Sequence, residues 1–177
     1  IIQKGRKIMH RIAKFEKVSF NQFKKDCADA CPQLAEDDIN EIYDAIKLPK
    51  RATTGSSGYD FFAPFQIVLQ PGCTMKIPTG IRAQIDDGWV LKLYPRSGLG
   101  FKFRMQLNNT VGIIDSDYYE NEDNDGHFMF AYYNFFDHDV EIKKGDCIGQ
   151  AIFMKYLIVD NDEATGVRKG GFGSTGK

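Results

Sequence analysis

The sequence predicts an all-β fold, a sandwich or barrel, with a small helical pair set near the N-terminus. Three observations lead there. From Pro49 onward short alternating runs are cut by turn signals at Pro71-Gly72, Asp87-Gly88 and Lys144-Gly145-Asp146. Two longer runs, Phe128 to Phe136 and Ile148 to Ile158, are apolar enough to be strands buried on both faces. Before Pro49 the apolar residues recur at helical spacing instead, which confines helix to one short segment.

Taken in order, residues 1–8 read as a leader or expression remnant, with Met9 as the natural start. Ile12 to Val18 alternates as a strand. Ser19 is placed to cap a helix that carries Phe20, Phe23 and Cys27 on one face, because its hydroxyl can accept from a first-turn N–H. Pro32 ends that helix, and Asp37 or Asp38 can cap a second one bearing Ile39, Ile42, Tyr43 and Ile46, so the pair spans roughly 19–47. Ile81, Ala83 and Ile85, and then Val90 to Tyr94, follow the two-residue period of half-buried strands. The acidic run 120–125 holds no apolar residue and reads as a solvated loop. Residues 9–165 thus form one β domain with a helical insertion, and 166–177 a flexible arm whose five glycines and lone aromatic, Phe172, cannot pack a core.

A chain of 177 residues, 42% hydrophobic and 13% aromatic, can bury one core. No apolar run approaches the roughly 20 residues that span a bilayer, so a soluble cytoplasmic protein is expected, with no membrane partner. The four cysteines show neither a CxxC pair nor zinc spacing and read as reduced thiols. A net charge of -1 argues against nucleic acid as a partner, and any anionic ligand must be held by local cations.

The densest chemistry lies between Asn108 and Tyr118. Val111, Ile113 and Ile114 make an apolar stem, and Gly112 lets a backbone or ligand come close because it has no Cβ. Asp115, Asp117 and Tyr118 then form a polar tip. Alone, Asp-Ser-Asp after a strand is usually just a solvated turn. Pro95-Arg96-Ser97-Gly98 offers a guanidinium, a hydroxyl and backbone N–H groups together, which suits a phosphate oxygen as well as a tight surface turn.

Five segments stand in order: Ala52-Thr-Thr-Gly-Ser-Ser-Gly-Tyr-Asp60, Pro95-Arg-Ser-Gly-Leu-Gly100, Val111 to Tyr118, Lys144-Gly-Asp-Cys-Ile-Gly-Gln150, and Arg168-Lys-Gly-Gly-Phe-Gly-Ser-Thr175. Gly/Ser loops are common singly. This set in this order resembles the five motifs of the trimeric dUTP pyrophosphatases (dUTPases), from Leu48 to Lys177 and without the helical pair. The resemblance implies a jelly-roll-like β domain, assembled as a homotrimer with shared active sites. It also implies hydrolysis of dUTP to dUMP and pyrophosphate by Mg2+-assisted attack of water on the α-phosphorus.

By the same resemblance, Ser97 and Gly98 would touch the phosphates around the α,β-bridge, with Arg96 supporting the loop or its ligand and braced by Asp60. Asn109 and the backbone of Gly112, Ile113, Ile114 and Asp115 would read the uracil edge, with a contact from Met129 on the returning strand. Tyr118 would pack on the deoxyribose and leave no room for a 2′-hydroxyl. Asp115 would hold the attacking water as general base, and Asp117 would support the turn. Gln150 would reach a phosphate, although a strand-edge amide with a backbone partner fits its place equally. Arg168 would meet the γ-phosphate, Phe172 would stack on the uracil, and Gly173 and Ser174 would meet the triphosphate as the arm closes over a neighbouring subunit's site. Arg96 and Arg168 cannot balance three phosphates, so Mg2+ is expected, bound to substrate phosphates and, through water, to Asp60.

The chain departs from the family pattern in places. About six residues are inserted between Tyr118 and Gly126, with acids expected to face solvent, and Gly149 stands where many relatives carry alanine, a mild change. The helical pair is either a packing ornament or a surface for a protein partner. Two other readings compete. A dCTP deaminase relative would share the fold but need a glutamate base beside the nucleobase and a different second motif. A dUTPase-like regulatory binding module would work mainly through the helical pair.

Overall fold

The computed structural model describes residues 10–171. The leader reading of 1–8 and the arm residues Phe172, Gly173 and Ser174 lie outside them. In chain order the elements are β1 (Ala13–Lys17), α1 (Phe20–Ala30), α2 (Glu36–Asp44), β2 (Tyr59–Phe62), β3 (Ile67–Leu69), β4 (Thr74–Pro78) and β5 (Ile81–Ile85). There follow β6 (Trp89–Pro95), α3 (Ser97–Phe103), β7 (Met105–Leu107), β8 (Gly112–Ile114), a single 3-10 turn (Ser116–Tyr118), β9 (Met129–Asn134), β10 (Val140–Ile142) and β11 (Cys147–Lys155).

The strands form a four-stranded sheet in the order β2-β11-β6-β8, a three-stranded sheet β4-β9-β7, and the pairs β1-β5 and β3-β10. Every pairing is antiparallel. Alternation puts Ile81, Ala83 and Ile85 inside, and the core closes on Phe61, Phe128, Phe130, Tyr132 and Ile148, each almost fully buried. Phe61 and Phe130 meet with ring centroids 5.5 Å apart. The all-β expectation is met.

The helical pair is part of this core, because Phe23 and Cys27 of α1 and Ile39 and Ile42 of α2 are buried in the same cluster as the strands. Ser19 caps α1 as expected, its Oγ accepting from the Gln22 N–H at 3.3 Å. The cap of α2 is neither Asp37 nor Asp38. Ala35 takes that position without a side-chain bond, while Asp37 and Asp38 sit inside the first turn, where negative charge complements the helix dipole. The turn from β4 to β5 needs Gly80, whose φ is +72° and whose Cβ would come 2.3 Å from Ile46 Cδ1.

Three further expectations are corrected. Ser97 to Phe103 is a short helix, not a tight turn; its two glycines hide the helical spacing. The apolar run from Ile148 does not stay in the sheet to Ile158: β11 stops at Lys155, and Leu157 and Ile158 are 94% and 71% exposed. The run 120–125 is not simply solvated, because Asn121 and Asn124 are buried and Asp125 takes the Ser19 N–H at 2.6 Å. Arg82 draws this loop inward, pairing with Asp125 and with Glu120 at 3.3 Å. Glu122 and Asp123 face solvent as expected.

Candidate active site

β8 and β9 flank a cavity of about 560 Å³ that the 3-10 turn and the arm close. Asn109, Gly112, Ile113, Ile114, Tyr118 and Met129 line it, as does Arg168. Gly112 is required by close packing: a Cβ there would lie 3.0 Å from that of Leu93 on β6. Sequence reasoning missed Lys76, His127 and Phe128 in the lining. His127 follows Gly126 at the start of an apolar run, and that polar residue on an apolar stretch was the available signal.

Asp115 follows β8 directly, next to the lining residue Ile114, and its side chain is half exposed. Its Oδ2 accepts from Arg168 Nη2 at 2.6 Å, and Asp117 Oδ1 accepts from Arg168 Nε at 2.7 Å. The guanidinium is therefore bracketed by two carboxylates of its own chain, with its carbon 5.9 Å from the Tyr118 ring centre. Tyr118 is 6% exposed. It stacks on Phe128 at 6.4 Å, and Gly171 seats so close that a Cβ there would meet the ring at 2.5 Å. Residues 168–171 thus dock on their own chain. The Tyr118 hydroxyl donates to the His127 carbonyl at 3.1 Å and accepts from Asn124 Nδ2 at 2.7 Å. Burial pushes this phenol up, partly offset by the Asn124 bond.

Segments one, two and four converge elsewhere. β2, β11 and β6 lie side by side, with Asp60 paired to Gln150 and Gln150 to Tyr94. Gln150 is on an inner strand, so the edge-amide reading does not hold. Gly58 makes room for its side chain, since a Cβ there would lie 2.8 Å from Gln150 Oε1. Arg96 donates to Asp60 Oδ1 at 3.1 Å. Arg96, Ser97 and Gln150 line a hollow of about 500 Å³ at the start of α3, and Gly98 is exposed beside it. Nearby, burial and then Asp60 push the Cys147 thiol up to about 11.

The register between β6 and β8 measures how far apart these halves are. Leu91 pairs with Ile114, so Asp115 stands level with Val90, while Arg96 and Ser97 lie beyond Pro95 at the other end of β6. At a strand rise near 3.3 Å, that is on the order of 17 Å. A carboxylate acting at an α-phosphorus and a loop holding the α,β-bridge must lie within a few ångströms of each other. Among the described residues no group of three or more His, Cys, Asp or Glu could hold a metal ion, and no helix is long and apolar enough to cross a membrane.

A family model for dUTPase matches residues 44–176. The deoxyuridine 5'-triphosphate nucleotidohydrolase of Lactococcus lactis subsp. lactis (strain IL1403) is 45% identical over 133 residues, 74% of this chain and 89% of that protein. The enzyme of the same name from avian adenovirus 8 is 36% identical, over 72% and 77%. Among solved structures, the dUTPase of Streptococcus mutans superposes with a TM-score of 0.61 at 37% identity, over 64% of this chain and 89% of that one. A mutant dUTPase from phage phi11 of S. aureus, described for coordination of a structural Mg(II) ion, is similar in fold alone. Its TM-score is 0.60 at 16% identity, over 88% of this chain and 98% of that one.

Proposed function

This chain belongs to the dUTPase family and hydrolyses dUTP to dUMP, and we propose that Asp115 is the general base that activates the attacking water. The observation that carries this reading is the cavity between β8 and β9, with Asp115 next in the chain to its lining residue Ile114 and bonded to its lining residue Arg168. Backbone N–H and C=O groups from Gly112 to Ile114 face the uracil edge, and Asn109 and Met129 complete its surroundings. Tyr118 excludes a 2′-hydroxyl by shape. The pyrophosphate half of the substrate rests on Arg96, Ser97 and Gln150, with the exposed Gly98 beside them.

The 17 Å estimate supports a site shared between subunits: Asp115 of one protomer would work with the Ser97 loop of another. A homotrimer fits, and the exposed apolar stretch after β11 is a ready contact surface. In that assembly the arm can leave its own Tyr118, carrying Arg168 to the phosphates and Phe172, Gly173 and Ser174 to the site it closes.

The donor set suits a Mg2+ that arrives on the triphosphate. Asp60 is a single carboxylate already paired with Arg96, so it fits a water-mediated contact and does not fit a protein cage. Bound there, Mg2+ would neutralise charge on the phosphates. The lining of the cavity holds no glutamate to serve as a deaminase base.

Asp115→Asn is expected to lower turnover by about 10²–10⁴-fold with nucleotide affinity nearly intact. Pyrophosphate release and binding of a non-hydrolysable dUTP analogue measure the two; normal turnover in that variant would refute the role. Release from the four deoxynucleoside triphosphates and UTP, with and without Mg2+, tests base, sugar and metal together, with dUTP and Mg2+ as the expected productive combination.

A further inference from the structure

The Tyr118 hydroxyl is held by a buried chain of hydrogen bonds that begins outside the region matched by the family model. Asn124 Oδ1 accepts from the Gly126 N–H at 3.1 Å and from Asn121 Nδ2 at 2.8 Å. That fixes which end of the amide is oxygen, so Nδ2 must face the phenol. The hydroxyl in turn donates to the carbonyl of His127, a residue with no exposed surface. His127 Nε2 accepts from the Gly80 N–H at 2.7 Å, which requires a lone pair there. The ring proton therefore sits on Nδ1 and is given to Asp26 Oδ2, 2.5 Å away on α1. Gln22, one turn earlier, donates to the same Asp26 oxygen at 2.8 Å.

We propose that Asn124 and His127 are positioning residues for Tyr118 and that Asp26 of the helical pair fixes His127, so the insertion loop and α1 together set the enzyme's choice of deoxyribose over ribose. This rests on the reading of Tyr118 as the residue that meets the sugar. The physical reason is tolerance. A ring excludes an added hydroxyl only if it cannot retreat, and specificity of this kind needs side chains held to about half an ångström by surrounding bonds. Phe128 behind the ring supplies packing but no lateral anchor; the hydroxyl's two bonds supply that anchor. The Tyr118, Asn124 and His127 side chains lie on one loop, whereas Asp26 is about a hundred residues away in sequence, so the helical pair is joined to the sugar pocket through the His127 ring.

The test is the ratio of kcat/KM for dUTP to that for UTP, measured with the full chain. Tyr118→Phe keeps the ring and removes the anchor; it should lower the ratio roughly 2- to 10-fold, about what one neutral hydrogen bond is worth, through a gain on UTP. Asp26→Ala should act in the same direction, with Asp26→Asn restoring the ratio because its carboxamide oxygen can still accept from Nδ1. If Tyr118→Phe and Asp26→Ala lower thermal stability while the ratio stays at the wild-type value, the network is only structural and the proposal fails. Should Asp26→Ala not fold, the Tyr118→Phe ratio alone decides. Tyr118→Ala separates the two levels. If it admits UTP while Tyr118→Phe does not, the buttress falls and the sugar reading stands; if it leaves the ratio unchanged, the sugar reading itself is wrong.

Discussion

At Gly149 a neighbouring side chain already fills the place of a methyl group. A Cβ there would lie 2.1 Å from Phe130 Cε1, and Phe130 is fully buried. What the family pattern presents as a mild exchange is strict in this chain, because overpacking a filled core costs about 1–3 kcal/mol. Gly149→Ala should lower stability by about that amount in urea unfolding, and adding Phe130→Leu should cost less than the two single changes summed. The thiols give a second test. Burial pushes Cys27 up to about 12, whereas Cys73 is exposed. Native protein at about pH 8 should therefore label first at Cys73, as peptide mass spectrometry can read. The folded chain holds the Cys27 proton more tightly than the unfolded chain does. The stability from that difference is complete below the ordinary value of 9.0 and is lost as pH rises toward about 12, so Tm should fall across that window.

At the scale of elements, the loop between Tyr118 and Gly126 clasps the helical pair to the β domain. Asp125 binds both Arg82 and the Ser19 N–H, while the Ser19 hydroxyl serves only the first turn of α1. Removing the cap alone with Ser19→Ala should cost about 1 kcal/mol. Asp125→Ala should cost more, about 1–3 kcal/mol, since it also removes one of the carboxylates paired with the part-buried Arg82 guanidinium, whose Nε already lacks a partner. Equal losses in thermal unfolding would show that the clasp contributes nothing beyond the cap. The start of α1 was legible in the sequence because capping is decided within four residues. The clasp was not, because Asn121, Asn124 and Asp125 are drawn in by Arg82, Ser19 and Tyr118, partners on other elements. α3 escaped notice because Gly98 and Gly100 carry no side chains to show a helical period. The inner faces of α1 and α2 pack on the protein's own strands, which makes the pair structural first.

For the whole molecule, the central expectation is that activity and assembly are lost together. Leu157→Asp with Ile158→Asp alters two residues that contribute little to the monomer's core, since they are 94% and 71% exposed. The pair of changes should yield folded monomers without dUTP turnover, as size-exclusion with light scattering and pyrophosphate release would register; a fully active monomer would end the shared-site reading. Local signals in the sequence sufficed for the β architecture, the helical pair and several residues that line the two hollows, among them Asn109, Tyr118, Arg96 and Gln150, because turn residues, capping and short motifs act over a few neighbouring positions; Lys76, His127 and Phe128 escaped them. Tertiary structure alone decided that Asp115 and the Ser97 loop stand at opposite ends of β6, that residues 168–171 dock on Tyr118, and that Asp26 reaches His127. Strand register and the burial of polar side chains are set by contacts between residues far apart in the chain, which local spacing does not encode.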